Sequence, residues 1–151
     1  MKPGDVAPDF ELLDETGTPR TLSGLLENGP VVLFFYPAAL SAGCTVEACH
    51  FRDLAAEFRA VGAHVVGISH DPVAKQARFA DRHTLGYPLL SDPDGTVREQ
   101  FGVKRDLAFN RTKRATFVID TDFRVLEVIR SEIRMNVHAD KALEVLRARQ
   151  R

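Results

Sequence analysis

Two cysteines, Cys44 and Cys49, offer the most chemistry in this chain. Cys44 stands where an apolar run, VVLFFY at 31–36, gives way through Pro37 and Gly43 to an amphipathic stretch, which puts it in the first turn of a helix leaving a strand. Free backbone N–H groups and the positive end of the helix dipole at such a junction favour thiolate over thiol, and the thiolate is the nucleophile. Cys49 follows five residues later. On an intact helix the two Cα atoms would be roughly 8.7 Å apart, beyond the separation of about 7 Å that a disulfide tolerates. A permanent bridge is disfavoured, and any bond between the two requires the start of the helix to unwind. Judged singly, Cys44 also fits a small apolar residue buried near a turn, and Cys49, beside the apolar stripe, a packing residue with an idle thiol.

Metal binding by Cys44, Cys49 and His50 fails on spacing, because zinc sites prefer two to four residues between the first ligands and a second pair downstream. The other histidines, His64, His70, His83 and His138, are scattered singly and read as surface or satisfied polar groups. Residues 104–114 gather Lys104, Arg105, Arg111, Lys113 and Arg114 against Asp106 alone. With Phe109 as its one aromatic, this reads as a solvated basic loop rather than a nucleic-acid patch.

The elements that must position the cysteines alternate along the chain. Short extended pieces at 9–13 and 19–22 flank Asp14-Glu15-Thr16-Gly17, which predicts an N-terminal hairpin. Residues 31–36 are apolar throughout, as a strand covered on both faces requires. Phe51, Leu54, Ala55 and Phe58 recur at helical spacing and predict one helix over 45–60. A second strand at 64–69, a helix opened by Pro72 and a short strand at 87–91 continue the rhythm of parallel βα units, and a short helix ends near Phe101. Runs at 115–120 and 123–129, separated by Thr121-Asp122, then predict an antiparallel hairpin. A last helix from near His138 turns Ala139, Leu143 and Leu146 inward and carries Arg147, Arg149 and Arg151 at the end where the dipole favours cations. This is the plan of an α/β, thioredoxin-like fold: a central mixed sheet flanked by helices, with an N-terminal β-hairpin extension.

Composition bounds the function. The 151 residues suit a single domain, 1–151, with one sizeable core. At 44% hydrophobic and 27% charged the chain matches soluble domains and excludes disorder. A net charge of −1 supplies no global field toward nucleic acid or an anionic membrane. No apolar run approaches the roughly 18–20 residues of a membrane span. The N-terminal MKPGDVAPDF lacks the apolar stretch of a signal peptide, so the expected location is the cytoplasm, where a close cysteine pair is catalytic, metal-binding or inert rather than a staple.

Taken together, Pro37, Ser41, Cys44, Glu47, Cys49 and Arg114 resemble the pattern of the peroxiredoxins, in particular the bacterioferritin-comigratory-protein branch of thiol peroxidases. The similarity runs from GDVAPDFELLDETG through VVLFFYPAALSAGCTVEACHFRD, GISHDP and YPLLSDPDG to KRATFVID, nearly the whole chain. It implies that Cys44 is the peroxidatic cysteine and Cys49 the resolving cysteine of this branch. Pro37 and Ser41 match the Pro-x-x-x-Thr/Ser-x-x-Cys motif, and Arg114 matches the family arginine. Arg114 would favour the thiolate and hydrogen-bond the peroxide, Ser41 Oγ would add a donor, and Pro37 would close the pocket against water. Glu47 either fixes the Arg114 guanidinium or is an ordinary first-turn acid. The resemblance further implies hydroperoxide substrates, an intramolecular disulfide reduced by thioredoxin or a similar dithiol protein, no cofactor and a monomer or homodimer. Ser41 replaces the family's usual Thr and loses the methyl that restricts χ1; Ala42 replaces a common Pro. Two other functions use the same pair: a general thiol–disulfide oxidoreductase, which typically carries Cys-x-x-Cys, and a redox sensor that alters a partner surface.

Overall fold

The computed structural model describes residues 1–104 and 112–150, so Arg105, Asp106, Phe109 and Arg111 of the basic segment and the terminal Arg151 lie outside the described residues. Its strands are β1 (Glu11–Leu13), β2 (Pro19–Thr21), β3 (Val31–Phe35), β4 (His64–Ser69), β5 (Leu89–Ser91), β6 (Ala115–Ile119) and β7 (Val125–Arg130). They form one sheet in the order β2-β1-β5-β4-β3-β6-β7. β3 runs parallel to β4 and β4 to β5, whereas β6 is antiparallel to both β3 and β7. The N-terminal hairpin β1–β2 joins the sheet through the Leu13–Ser91 pairing. The expected mixed sheet, flanking helices and hairpin extension are all present.

Each residue of β3 is fully buried because its alternating side chains feed two layers. Val32, Phe34 and the following Tyr36 pack on α2 (Ala42–Asp53), α3 (Ala55–Ala60), α4 (Val73–His83) and α6 (Met135–Arg149). Val31, Leu33 and Phe35 face the opposite layer with Phe10, Phe101 and Phe117. Full burial of each such side chain stabilises by about 1.5–3 kcal/mol, and the Phe34–Phe51 stack, with ring centroids 4.4 Å apart, locks α2 to the central strand. The remaining helices are α1 (Leu22–Leu25) and α5 (Thr96–Gln100).

Several boundaries differ from the sequence pattern. The helix expected over 45–60 begins at Ala42, where Ser41, in extended conformation, accepts from Thr45 N at 2.9 Å, and it breaks at Leu54 into α2 and α3. No Gly or Pro announces the break, and the apolar spacing runs through it because the Phe51 and Phe58 rings pack together across it at 5.9 Å. The strand expected at 87–91 spans only β5, since the Tyr87 side chain turns to α2. β7 starts at Val125, not 123, because Phe123 turns the chain at a φ of 69°. The last helix starts at Met135, three residues before His138, after a turn in which Ser131 Oγ accepts from Arg134 N.

Candidate active site

The parallel β3–β4 pair fixes where α2 begins. β3 delivers the chain at Tyr36, whose N–H donates to Ile68 O at 3.1 Å, and the loop 37–41 must then reverse into α2. The buried Asp71 beyond β4 holds that loop: its Oδ2 accepts from Ala39 N at 2.7 Å and from Ser69 Oγ at 2.7 Å. Leu40 adopts a left-handed φ of 67°, a conformation that a non-glycine residue reaches at a penalty of roughly 1 kcal/mol or more. The half-buried Pro37 opens the loop and Ser41 ends it.

Cys44 lies in the first turn of α2, only 1% exposed, with its thiol free. Arg114, at the entrance to β6, reaches it from the neighbouring strand: Nη2 donates to Cys44 Sγ at 3.3 Å, while Nη1 donates to Glu47 Oε1 at 2.8 Å. Gly43 lies beside this fork: a Cβ there would meet Arg114 Nη2 at 3.4 Å and Met135 Sδ at 3.6 Å, ordinary contact distances. Arg114 N donates to Glu132 Oε1 at 3.0 Å, which ties the backbone of the arginine to the turn after β7. Burial opposes the Arg114 charge, but the neighbouring Glu47 and Cys44 raise its pKa above the ordinary guanidinium value. Glu47 is fully buried, and burial pushes its carboxyl up to about 8 against the opposing pull of Arg114.

Ser41 sits where expected but uses its proton differently. Its Oγ donates to Ala38 O at 2.8 Å, so toward the pocket the hydroxyl offers an acceptor, not the donor anticipated from sequence. Its carbonyl accepts from both Thr45 N and Thr45 Oγ1, which starts the helix. Cys49 is half-buried on the same continuous helix as Cys44, and both are free thiols. Three contacts hold the second half of that helix: Tyr87 Oη donates to Ala48 O at 2.7 Å, His50 Nε2 meets Asp140 Oδ1 at 2.7 Å, and Arg52 Nη1 donates to His83 O at 2.7 Å.

The sequence reading missed the wall behind Glu47. His138, read as one of several scattered histidines, is fully buried there; its Nδ1 is 2.8 Å from Thr116 Oγ1 and its Nε2 donates to Ser131 O at 2.9 Å. Nε2 is also 3.5 Å from Glu47 Oε2. Burial lowers the His138 pKa, and Arg114 reinforces that shift. A histidine at an otherwise inward-facing position of an amphipathic helix, one residue before Ala139, was the available signal. Among the described residues, no group of three or more His, Cys, Asp or Glu side chains could hold a metal ion.

The comparisons with known proteins agree with this geometry. Residues 3–128 match the AhpC/TSA family model. The chain is 65% identical over 150 residues to a Mycobacterium tuberculosis protein named as a peroxiredoxin, covering 98% of this chain and 97% of that one. Chloroplastic peroxiredoxin Q of Arabidopsis thaliana is 41% identical over 96% of this chain and 67% of its own length. The crystal structure of peroxidoxin BcpB from M. tuberculosis superposes with a TM-score of 0.94 at 65% identity, covering 98% and 97% of the two chains. Peroxiredoxin Q of Xanthomonas campestris gives 0.84 at 28% identity, with 94% and 92% covered. The strand-to-helix cysteine, the arginine that reaches it and these relationships together establish that the chain belongs to the AhpC/TSA family, as a peroxiredoxin of the peroxiredoxin Q or bacterioferritin-comigratory-protein branch.

Proposed function

We propose that the chain is a thiol peroxidase in which the Cys44 thiolate attacks hydrogen peroxide or an organic hydroperoxide. The observation that carries this reading is the 3.3 Å contact between Arg114 Nη2 and Cys44 Sγ at the first turn of α2. A fixed cation and free backbone N–H groups there stabilise a thiolate and meet the charge that develops on the departing oxygen. Sulfur attacks one peroxide oxygen, the O–O bond breaks, and Cys44 becomes a sulfenic acid while the other oxygen leaves as water or alcohol. Ser41 Oγ accepts from the peroxide O–H and so orients it, Pro37 shields the pocket, and Glu47 holds the Arg114 fork.

Cys49 then condenses with the sulfenic acid, forming a disulfide and releasing water. On the intact helix the pair is roughly 8.7 Å apart, so part of α2 must unwind first. A thioredoxin-like dithiol protein of the cytoplasm reduces the disulfide by exchange, and the chain works as a monomer or homodimer, a single domain over 1–151. The alkyl peroxide reduction activity of the Xanthomonas campestris bacterioferritin comigratory protein, 28% identical to this chain, supports the substrate class.

Intact mass and free-thiol titration after one equivalent of hydrogen peroxide test the assignment. The wild type should lose two hydrogens and both thiols, Cys49→Ser should gain one oxygen, and Cys44→Ser should stay unreacted. Reaction of Cys44→Ser at the wild-type rate would remove Cys44 from the mechanism.

A further inference from the structure

Among the described residues, Arg114 is the one Lys or Arg in contact with Cys44 and Glu47, and it is shared between two acids: it bonds Cys44 Sγ at 3.3 Å and Glu47 Oε1 at 2.8 Å. All three side chains are buried, at 1% for Cys44, 0% for Glu47 and 5% for Arg114. A buried charge is tolerated only when it is paired. One guanidinium neutralises one anion, and thiolate together with carboxylate would leave a surplus negative charge out of water.

Among the described residues, the other groups around Glu47 do not absorb that surplus. His138, from α6, already places its Nε2 proton on the Ser131 carbonyl at 2.9 Å, and burial disfavours a positive charge on the ring. Thr116, from β6, is occupied by His138 Nδ1. Glu132, in the turn after β7, adds negative charge, and the Tyr87 phenol is neutral. Glu47 Oε2, sealed from solvent, has no hydrogen-bond partner, and His138 Nε2 at 3.5 Å is beyond good hydrogen-bond range. A carboxylate oxygen left so is expensive, whereas a carboxylic acid carries no charge to compensate.

We propose that Glu47 is the proton store of the site: a carboxylic acid while Cys44 is a thiolate, and a carboxylate once Cys44 has become a sulfenic acid. The step balances as Cys44–S⁻ + ROOH + Glu47–COOH → Cys44–SOH + ROH + Glu47–COO⁻. The S–O bond forms and the O–O bond breaks, sulfur is oxidised by two electrons, and the Glu47 proton ends on the departing oxygen. Arg114 keeps one counterion throughout, exchanging thiolate for carboxylate. When the reducing dithiol later opens the Cys44–Cys49 disulfide, its two protons go to Cys49 and to Glu47, and Cys44 returns as thiolate. The inference rests on the peroxidase reading of Cys44 and adds to it the source of the proton.

Proton counting tests it. In a Cys49→Ser background, one equivalent of hydrogen peroxide is mixed with weakly buffered protein containing an indicator dye, at the lowest pH where the thiolate absorbance has reached its plateau. Mass spectrometry of the same sample checks for the added oxygen. With Glu47 present, proton uptake from solvent should be near zero per oxygen added; with Glu47→Gln it should rise to about one. Uptake near one in both proteins would mean that Glu47 is ionised at rest, and uptake near zero in both that the product is a sulfenate needing no store; either result overturns the proposal. Infrared difference spectra of the Glu47-containing protein provide a second readout should Glu47→Gln fold poorly. Oxidation must bleach a protonated-carboxyl C=O band, and absence of that loss also refutes the idea. Failure of the peroxidase reading is distinguishable, since no oxygen would be added at Cys44 at all.

Discussion

Replacing Tyr87 by Phe should accelerate formation of the Cys44–Cys49 disulfide without altering the attack on peroxide. Tyr87 Oη donates to the Ala48 carbonyl, inside the span that separates the two cysteines, so this bond breaks whenever the span unwinds. The ring itself packs edge-on against Phe34 at 5.9 Å and is retained in Phe. The Ala48 carbonyl keeps its helical partner four residues on, so no acceptor is stranded in the folded form. A neutral hydrogen bond of this kind is worth about 1 kcal/mol net, which increases the unwound population about fivefold. In single-turnover experiments quenched with an alkylating reagent, the loss of Cys49 thiol after sulfenic acid formation should be about fivefold faster, with oxygen addition to Cys44 unchanged. Because the sulfenic acid is then shorter-lived, the variant should also withstand more peroxide before Cys44 is over-oxidised. An unchanged or slower disulfide step would refute the view that the Tyr87–Ala48 bond restrains α2.

Arg114→Lys loses the planar fork that serves Cys44 and Glu47 together; the peroxide step, followed by stopped-flow, should slow by about 10- to 100-fold, the worth of one charge-assisted hydrogen bond. Gly43→Ala should raise thermal stability through better helix propensity, by up to about 1 kcal/mol, and leave peroxide attack unchanged, because the new Cβ would meet Arg114 Nη2 at 3.4 Å, an ordinary contact distance; a slower attack would show that the guanidinium tolerates no neighbour there. Asp120 accepts two hydrogen bonds from Arg149, which hold its pKa below the ordinary 3.8. A depressed carboxyl contributes stability that is present above its unfolded value and lost as pH falls through the folded one. Asp120→Asn should therefore lower stability by about 0.5 kcal/mol at neutral pH, with the difference vanishing in denaturation curves taken well below pH 3.8.

The sequence disclosed what periodicity and local chemistry encode. β3 was visible because a strand buried on both faces must be apolar throughout, and Cys44 because a strand-to-helix junction is read from neighbouring residues. Arg114 is different: seventy residues from Cys44, it was reached only through family resemblance, since spacing carries no information about which strand lies beside which. His138 escaped for the same reason. Its partners Thr116 and Ser131 come from other elements, so in one dimension it looked like an isolated histidine. The proton on Ser41 and the break at Leu54 depend on a loop carbonyl and on ring packing, neither of which leaves a pattern in residue types.

The Phe34–Phe51 stack also limits how far a local melt can travel. Phe51 is wholly enclosed and two residues beyond Cys49, and after it the Leu54 break separates α3, itself nailed down by Phe58. Unravelling that starts at the Cys44 end therefore meets a mechanical stop within two turns. Five residues of freed chain can extend by roughly 3.3–3.6 Å each, ample slack for Cys49 to swing round to Cys44 while the aromatic interior stays shut. In the proposed cycle a short tether can thus open and reseal as a zip opens to its first fixed tooth, with the rest of the molecule left fastened.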